Sequence, residues 1–167
     1  MLVRPETEDD RDAVRAVNVA AFDTPLEADL VDALRREATP IVSLVAEEEG
    51  AILGHIMFSP VSLEGHLDLQ LMGLAPMAVS PSHQRRGIGS QLVSAGLEHC
   101  RNLDCAVVVV VGHPTYYPRF GFAPASEFEM RCDYDVPPEV FMALEIEPGV
   151  LREMSGTIRF HPAFGSA

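Results

Sequence analysis

The chain has 167 residues, 47% of them hydrophobic and 22% charged, the profile of a globular domain long enough to bury a real core. Its formal charge of −13 disfavours nucleic acid, whose phosphates would be repelled, and leaves a cationic small molecule or basic peptide as a compatible partner. All twelve basic residues are arginine, which excludes a Walker A loop and a lysine Schiff base.

No apolar run reaches the ~18 residues of a membrane-spanning helix. The opening "MLVRPETEDD" lacks the apolar stretch of a signal peptide, so the cytoplasm is the expected location and no membrane partner is expected. Cys100, Cys105 and Cys132 have no metal-type spacing and read as unreactive thiols, and no metal site is expected.

"LVRP" reads as a first strand. Thr7 with Asp10 three residues on caps a helix with an apolar stripe at Ala13, Val14, Val17 and Ala21. In "TPLE", Thr24 is placed as N-cap, Pro25 as the first helical residue and Glu27 as the partner in a capping box. "IVSLVAE" (41–47) and "AILGHIMF" flank the turn residues Glu48-Glu49-Gly50 as a hairpin, with His55 as a hydrogen-bonded strand residue.

The apolar stretch Leu69 to Val79 follows, and Pro76 inside it implies a bulge or an unpaired edge. Ile88 to Leu103 has helical spacing, and "AVVVVV" (106–111) reads as a strand buried on both faces. "VFMALEIE" and "TIRF" are later strands. The expectation is one mixed α/β domain over residues 1–167.

"HQRRGIGSQL" (83–92) raises the functional question. From Leu69 to Leu97 there is no acidic residue, and the only formal charges are Arg85 and Arg86. Gly87 and Gly89 stand at the mouth of a helix, whose first turn offers unpaired N–H groups and a positive dipole end. Glycines let the backbone curl about phosphate oxygens, so a diphosphate is the natural guest. The Rossmann fingerprint fails because Leu92 occupies its third glycine position.

Gln84-Arg85-Arg86-Gly87-Ile88-Gly89 resembles the Q/R-x-x-G-x-G/A signature of the GCN5-related N-acetyltransferases (GNAT), and "MAVSPSHQRRGIGSQLV" resembles their cofactor strand, loop and helix. Tyr117 with Gly121 and Phe122 matches a Y-x-x-x-G-F element of that family. "GHPTYYPRFGFAPA" is similar to a bacterial subgroup of N-acetyltransferases. The resemblance implies a splayed central β-sheet flanked by helices and acetyl-CoA as co-substrate. It further implies backbone pairing of Met77, Ala78 and Val79 with the pantetheine arm, and pyrophosphate held by amides from Arg85 to Ser90. Tyr117 would be the general acid toward the leaving thiolate, with Tyr116 as its rival.

A base that frees the acceptor amine is missing from "LQLMGLAPMAV", where relatives carry a glutamate. His113 is a candidate, a plain turn histidine the alternative, and the base stays unassigned. Acidic residues concentrate at 1–40 and 126–154, which raises a polyamine, an aminoglycoside or a basic N-terminus as acceptor, against a merely solvated acidic surface. The reading is direct acetyl transfer to a primary amine of a small molecule or peptide; the alternative is a non-catalytic acyl-CoA-binding module. The oligomeric state stays open, a homodimer included.

Overall fold

In the computed structural model, which describes residues 1–166, the elements follow the expected order. Ala167, the final residue of the domain expected over 1–167, lies outside the described residues. β1 (Leu2–Pro5) passes through one 3₁₀ turn into α1 (Arg11–Phe22), and α2 (Leu26–Glu37) follows. β2 (Val42–Glu48) and β3 (Ala51–Leu63) form the hairpin, and β4 (Leu71–Val79) returns beside β3. α3 (Ile88–Asn102) leads to β5 (Val107–Val111), the valine strand. The short β6 (Ala123–Pro124), β7 (Met130–Cys132), β8 (Phe141–Glu145) and β9 (Gly156–Arg159) complete the sheet.

Local chemistry accounts for these boundaries. The Asp10 carboxylate accepts from the Thr7 N–H at 2.7 Å and the Thr7 hydroxyl at 3.1 Å, fixing the entry to α1 as the sequence predicts. Glu49 and Gly50 both have positive φ, 51° and 84°, the backbone that a two-residue hairpin with native twist demands. At α2 the expectation holds only in part. The Thr24 hydroxyl accepts the Leu26 N–H at 3.3 Å, but the helix starts at Leu26 rather than Pro25. Glu27 does not complete the capping box: its Oε1 is buried without a hydrogen-bond partner.

The strand order is β1-β2-β3-β4-β5-β8-β6, with β9 pairing the end of β3 and β7 beside it. β4–β5 and β7–β9 are parallel and the other neighbours antiparallel, so the sheet is mixed, as expected. Alternation along the strands sorts the core by face. Leu44, Ile56 and Phe58 join Leu92 and Val93 of α3, while Val45 and Met57 join Val14 of α1 and Leu34 of α2. α3 lies close on the sheet because residue 96 is glycine: a Cβ there would stand 2.2 Å from the Phe58 ring.

The sheet splays at one place. β4 and β5 pair only where Leu71, Met72 and Gly73 face Val107, Val108 and Val109. Beyond Gly73, β4 stays with β3 while Val110 and Val111 stay with β8. Opposite Met57, β4 carries both Ala75 and Pro76, the bulge that the interior proline predicts. One edge of β4 is therefore without a strand partner from Leu74 to Val79.

Candidate active site

Two cavities flank this unpaired edge, and Met77 and Tyr117 line both. The first, about 490 Å³, runs from the end of β4 across the loop before α3 to the segment after β5. Its loop is built by backbone conformation. Arg85 and Gly87 have φ of 65° and 81°, in the left-handed region that a glycine enters without steric cost. Gly87 also serves as N-cap of α3, so the helix's unpaired N–H groups begin at the cavity. The Gln84 side-chain amide donates to the Val79 carbonyl at 3.1 Å and ties the loop to the strand end.

The electrostatics are those of an anion site. Arg85, Arg119, His83 and His113 line this cavity, and no acidic side chain does among the described residues. In a chain of net charge −13 this is a local reversal of sign. Arg119 stands 4.3 Å over the Tyr116 ring and donates from Nε to the Tyr116 carbonyl at 2.9 Å, so its charge is held in place.

The two tyrosines differ in what occupies them. The Tyr116 hydroxyl shares a 3.0 Å hydrogen bond with Ser90 Oγ on α3, and the rings meet edge to face at 5.1 Å. Tyr117 lies on the wall between the cavities, 8% exposed. Burial, with the neighbouring Tyr116 hydroxyl, pushes its pKa up to about 12, so the phenol keeps its proton at neutral pH. Gly112 makes room for that ring: a Cβ there would meet Tyr117 at 2.4 Å.

Of the residues singled out from sequence, Met77, Val79, Gln84, Arg85, Gly87, Ile88, Gly89, Ser90 and Tyr117 come together around the first cavity. Ala78 and Arg86 do not line it. Ala78 is buried within β4 opposite His55, and the Arg86 side chain is turned to Glu48 at 3.6 Å. Tyr116, His83, His113 and Arg119 belong to the lining as well. Arg119 is the one that sequence reasoning missed; its signal was a lone arginine inside the aromatic "YYPRFGF".

The second cavity, about 440 Å³, opens between α2 and the splayed strands. Its walls are apolar, from Leu30, Leu74, Pro76 and Phe164 among others, and Glu27 is the single ionisable carboxyl group in them. His55, by contrast, belongs to neither cavity. It is fully buried, accepts from Asn18 Nδ2 at Nδ1 (3.2 Å) and donates from Nε2 to Ser43 Oγ (2.9 Å). Ser43 passes the chain on to Glu6, which pairs with Arg35. The expected satisfied strand histidine is what the fold contains.

Comparison with known proteins agrees with this geometry. The model of the acetyltransferase (GNAT) family matches residues 11–122. The uncharacterized N-acetyltransferase YjhQ of Escherichia coli K12 is 42% identical over 134 residues, 78% of this chain and 74% of its own. The uncharacterized N-acetyltransferase YhbS of the same organism is 34% identical over 98% of both chains. Its crystal structure in complex with CoA superposes with a TM-score of 0.91 at 33% identity, covering 98% of this chain and 91% of that one. A GNAT family acetyltransferase from Brucella melitensis in complex with acetyl-CoA gives 0.80 at 34% identity, covering 98% and 97%. The chain belongs to the acetyltransferase (GNAT) family.

Proposed function

We propose that the chain transfers an acetyl group directly from acetyl-CoA to a primary amine, with the two cavities taking cofactor and acceptor. The observation that carries this is the shared wall. An acid-free, arginine-bearing cavity and an apolar one meet at Met77 and Tyr117, along a strand edge with no strand partner.

The residues present fit the cofactor. The unpaired edge of β4 at Met77, Ala78 and Val79 can take an extended pantetheine arm as an added strand would be taken. Gly87, in left-handed backbone with no atom near its missing Cβ, and the N-terminal turn of α3 form the cradle for a pyrophosphate, with Arg85 and Arg119 beside it. Gln84 and the Ser90–Tyr116 pair hold that cradle against β4 and the segment after β5. The amide of Arg86 remains in the loop while its side chain pairs outward.

Bound acetyl-CoA would supply an activated thioester, whose attack by an amine releases a thiolate. The chain's contribution is proton placement and shielding. Tyr117 holds a proton at its hydroxyl because burial disfavours the phenolate, and it is the donor available at the junction of the cavities. Tyr116, engaged with Ser90, is the positioning neighbour. An amine seated against the apolar walls of the second cavity would displace water, which favours aminolysis over hydrolysis.

The test is thiol release from acetyl-CoA across a panel of primary amines, with CoA binding measured by calorimetry alongside. Amine-dependent thiol release supports transfer. CoA binding without release across the panel would instead support the non-catalytic acyl-CoA module.

A further inference from the structure

We infer that the second cavity takes the acceptor as a single primary ammonium on an apolar body, and that Glu27 is the group that binds this ammonium and removes its proton. The inference rests on the acetyl-transfer reading and gives it a substrate class and the missing base.

Three observations meet here. Among the described residues, the buried side-chain oxygens without a partner are Asn18 Oδ1, Ser59 Oγ and Glu27 Oε1; only Glu27 is a carboxylate, and only Glu27 lines either of the two cavities. A buried polar oxygen left unpaired is costly, and Glu27 lines an apolar cavity, so a ligand donor seated there can satisfy its carboxylate. Second, Phe22, Leu26 and Val111, large hydrophobic side chains left exposed, gather on this same cavity. Solvent-facing apolar groups collected around a concavity mark a site for an apolar guest.

Third, the other acids near α1 and α2 lie outside this cavity, and several of them are already engaged. Glu6 and Asp32 pair with Arg35, Asp10 with Arg4, and Asp29 with Arg15. None of them lines the cavity, so the acidic composition of residues 1–40 does not make a polycation site there. One carboxylate in an apolar chamber matches one ammonium. His113 lines only the first cavity, beside the loop and away from this carboxylate's chamber.

The proton balance closes. Glu27 takes one proton from R–NH₃⁺, giving R–NH₂ and a carboxylic acid. The nitrogen lone pair forms the C–N bond as the C–S bond breaks, and the sulfur takes the Tyr117 proton. The nitrogen's surplus proton replaces the one lost from Tyr117, and Glu27 returns its own to solvent. The net products are one amide, one thiol and one proton.

The experiment is calorimetric titration of the full chain with hexylamine, 2-phenylethylamine, hexanol and spermidine, and separately with CoA, together with steady-state kinetics. Hexylamine and 2-phenylethylamine should bind at least tenfold tighter than hexanol or spermidine. In Glu27→Gln, hexylamine affinity should fall at least tenfold and kcat roughly 100-fold, as loss of a general base typically costs, while CoA affinity is unchanged. Leu26→Ala, at an exposed position, should weaken hexylamine several-fold and leave spermidine unaffected, and this arm stands even where Glu27→Gln fails to fold. Equal binding of spermidine and hexylamine, or a Glu27→Gln chain that binds CoA and keeps its amine affinity, would overturn the inference. Failure of CoA itself to bind overturns the transfer reading beneath it, and the CoA titration reads that separately.

Discussion

The cavities on either side of Tyr117 solve opposite problems with opposite materials. On the transfer reading the first would take a multiply charged group, and it is built from backbone: left-handed Arg85 and Gly87, a helix N-terminus, and arginines around an acid-free rim. The second would take an organic body, and it is built from side chains: apolar walls with one carboxylate. Charge is cheap to recognise with amides already pointing one way, because no side-chain freedom is lost. An apolar body is recognised by area removed from water, which requires side chains from several elements. Variants should therefore separate the two functions cleanly.

The largest expected effect lies outside both cavities and must be subtracted first. His55 is buried and its pKa is pulled down from 6.5 to about 4, with burial as the main cause. The unfolded chain protonates this histidine below about 6.5 and the folded chain resists until about 4. Stability is thus complete above pH 6.5 and is lost as pH falls through that window, by about 3 kcal/mol from this group. Urea unfolding at pH 7 and pH 4.5 measures it, and His55→Gln should flatten the dependence. An acid limb that removes CoA and amine binding together is this fold loss; one that removes only turnover is local chemistry.

Next in size is Tyr117→Phe. Loss of the proton donor should lower kcat by about 100-fold, the lower end for a general acid because a thiolate already leaves well. CoA and hexylamine affinities should hold within about twofold, since the ring stays and only the hydroxyl goes. Tyr116→Phe removes the hydrogen bond to Ser90 and should instead weaken CoA binding with a smaller change in kcat. The reverse ranking would exchange the roles of the two tyrosines.

The first cavity was legible in the sequence and the second was not, for a physical reason. Gly87, Gly89 and the acid-free run from Leu69 to Leu97 are contiguous, and a helix N-terminus is a local structure that local residues encode. Pro76 announced the bulge because a missing N–H constrains its own strand. The second cavity collects Phe22, Glu27, Leu74, Val111 and Phe164 from five stretches, which only tertiary packing unites. Glu27 was misread as a capping residue because acids at a helix start have a sufficient local explanation. Its unpaired, buried oxygen belongs to packing and leaves no mark in the sequence. Arg86 shows the same division: the motif concerns its amide, while its side chain reaches Glu48 across the hairpin, a partner the local sequence does not reveal.

Gly87→Ala tests the backbone side of the comparison. Nothing crowds a methyl group at this position, so steric collision is not the cost. The cost is φ of 81°, a conformation that disfavours a Cβ by about 1–2 kcal/mol. Relieving that strain means rotating the loop and misdirecting its amides, so CoA affinity should fall about tenfold in calorimetry with hexylamine affinity unchanged.

The smallest effect is the most diagnostic of charge. Arg119 touches the first cavity from an exposed position and is braced by the Tyr116 ring and carbonyl. Water and salt screen an exposed guanidinium, so Arg119→Gln should weaken CoA only roughly two- to fivefold. That deficit should shrink as ionic strength rises from 50 to ~500 mM, because the wild-type advantage is Coulombic. The Gly87→Ala deficit should persist across the same range, because it is conformational. A salt-independent Arg119→Gln deficit would mean that this arginine serves by packing on Tyr116, and the first cavity's preference for anions would then rest on backbone alone.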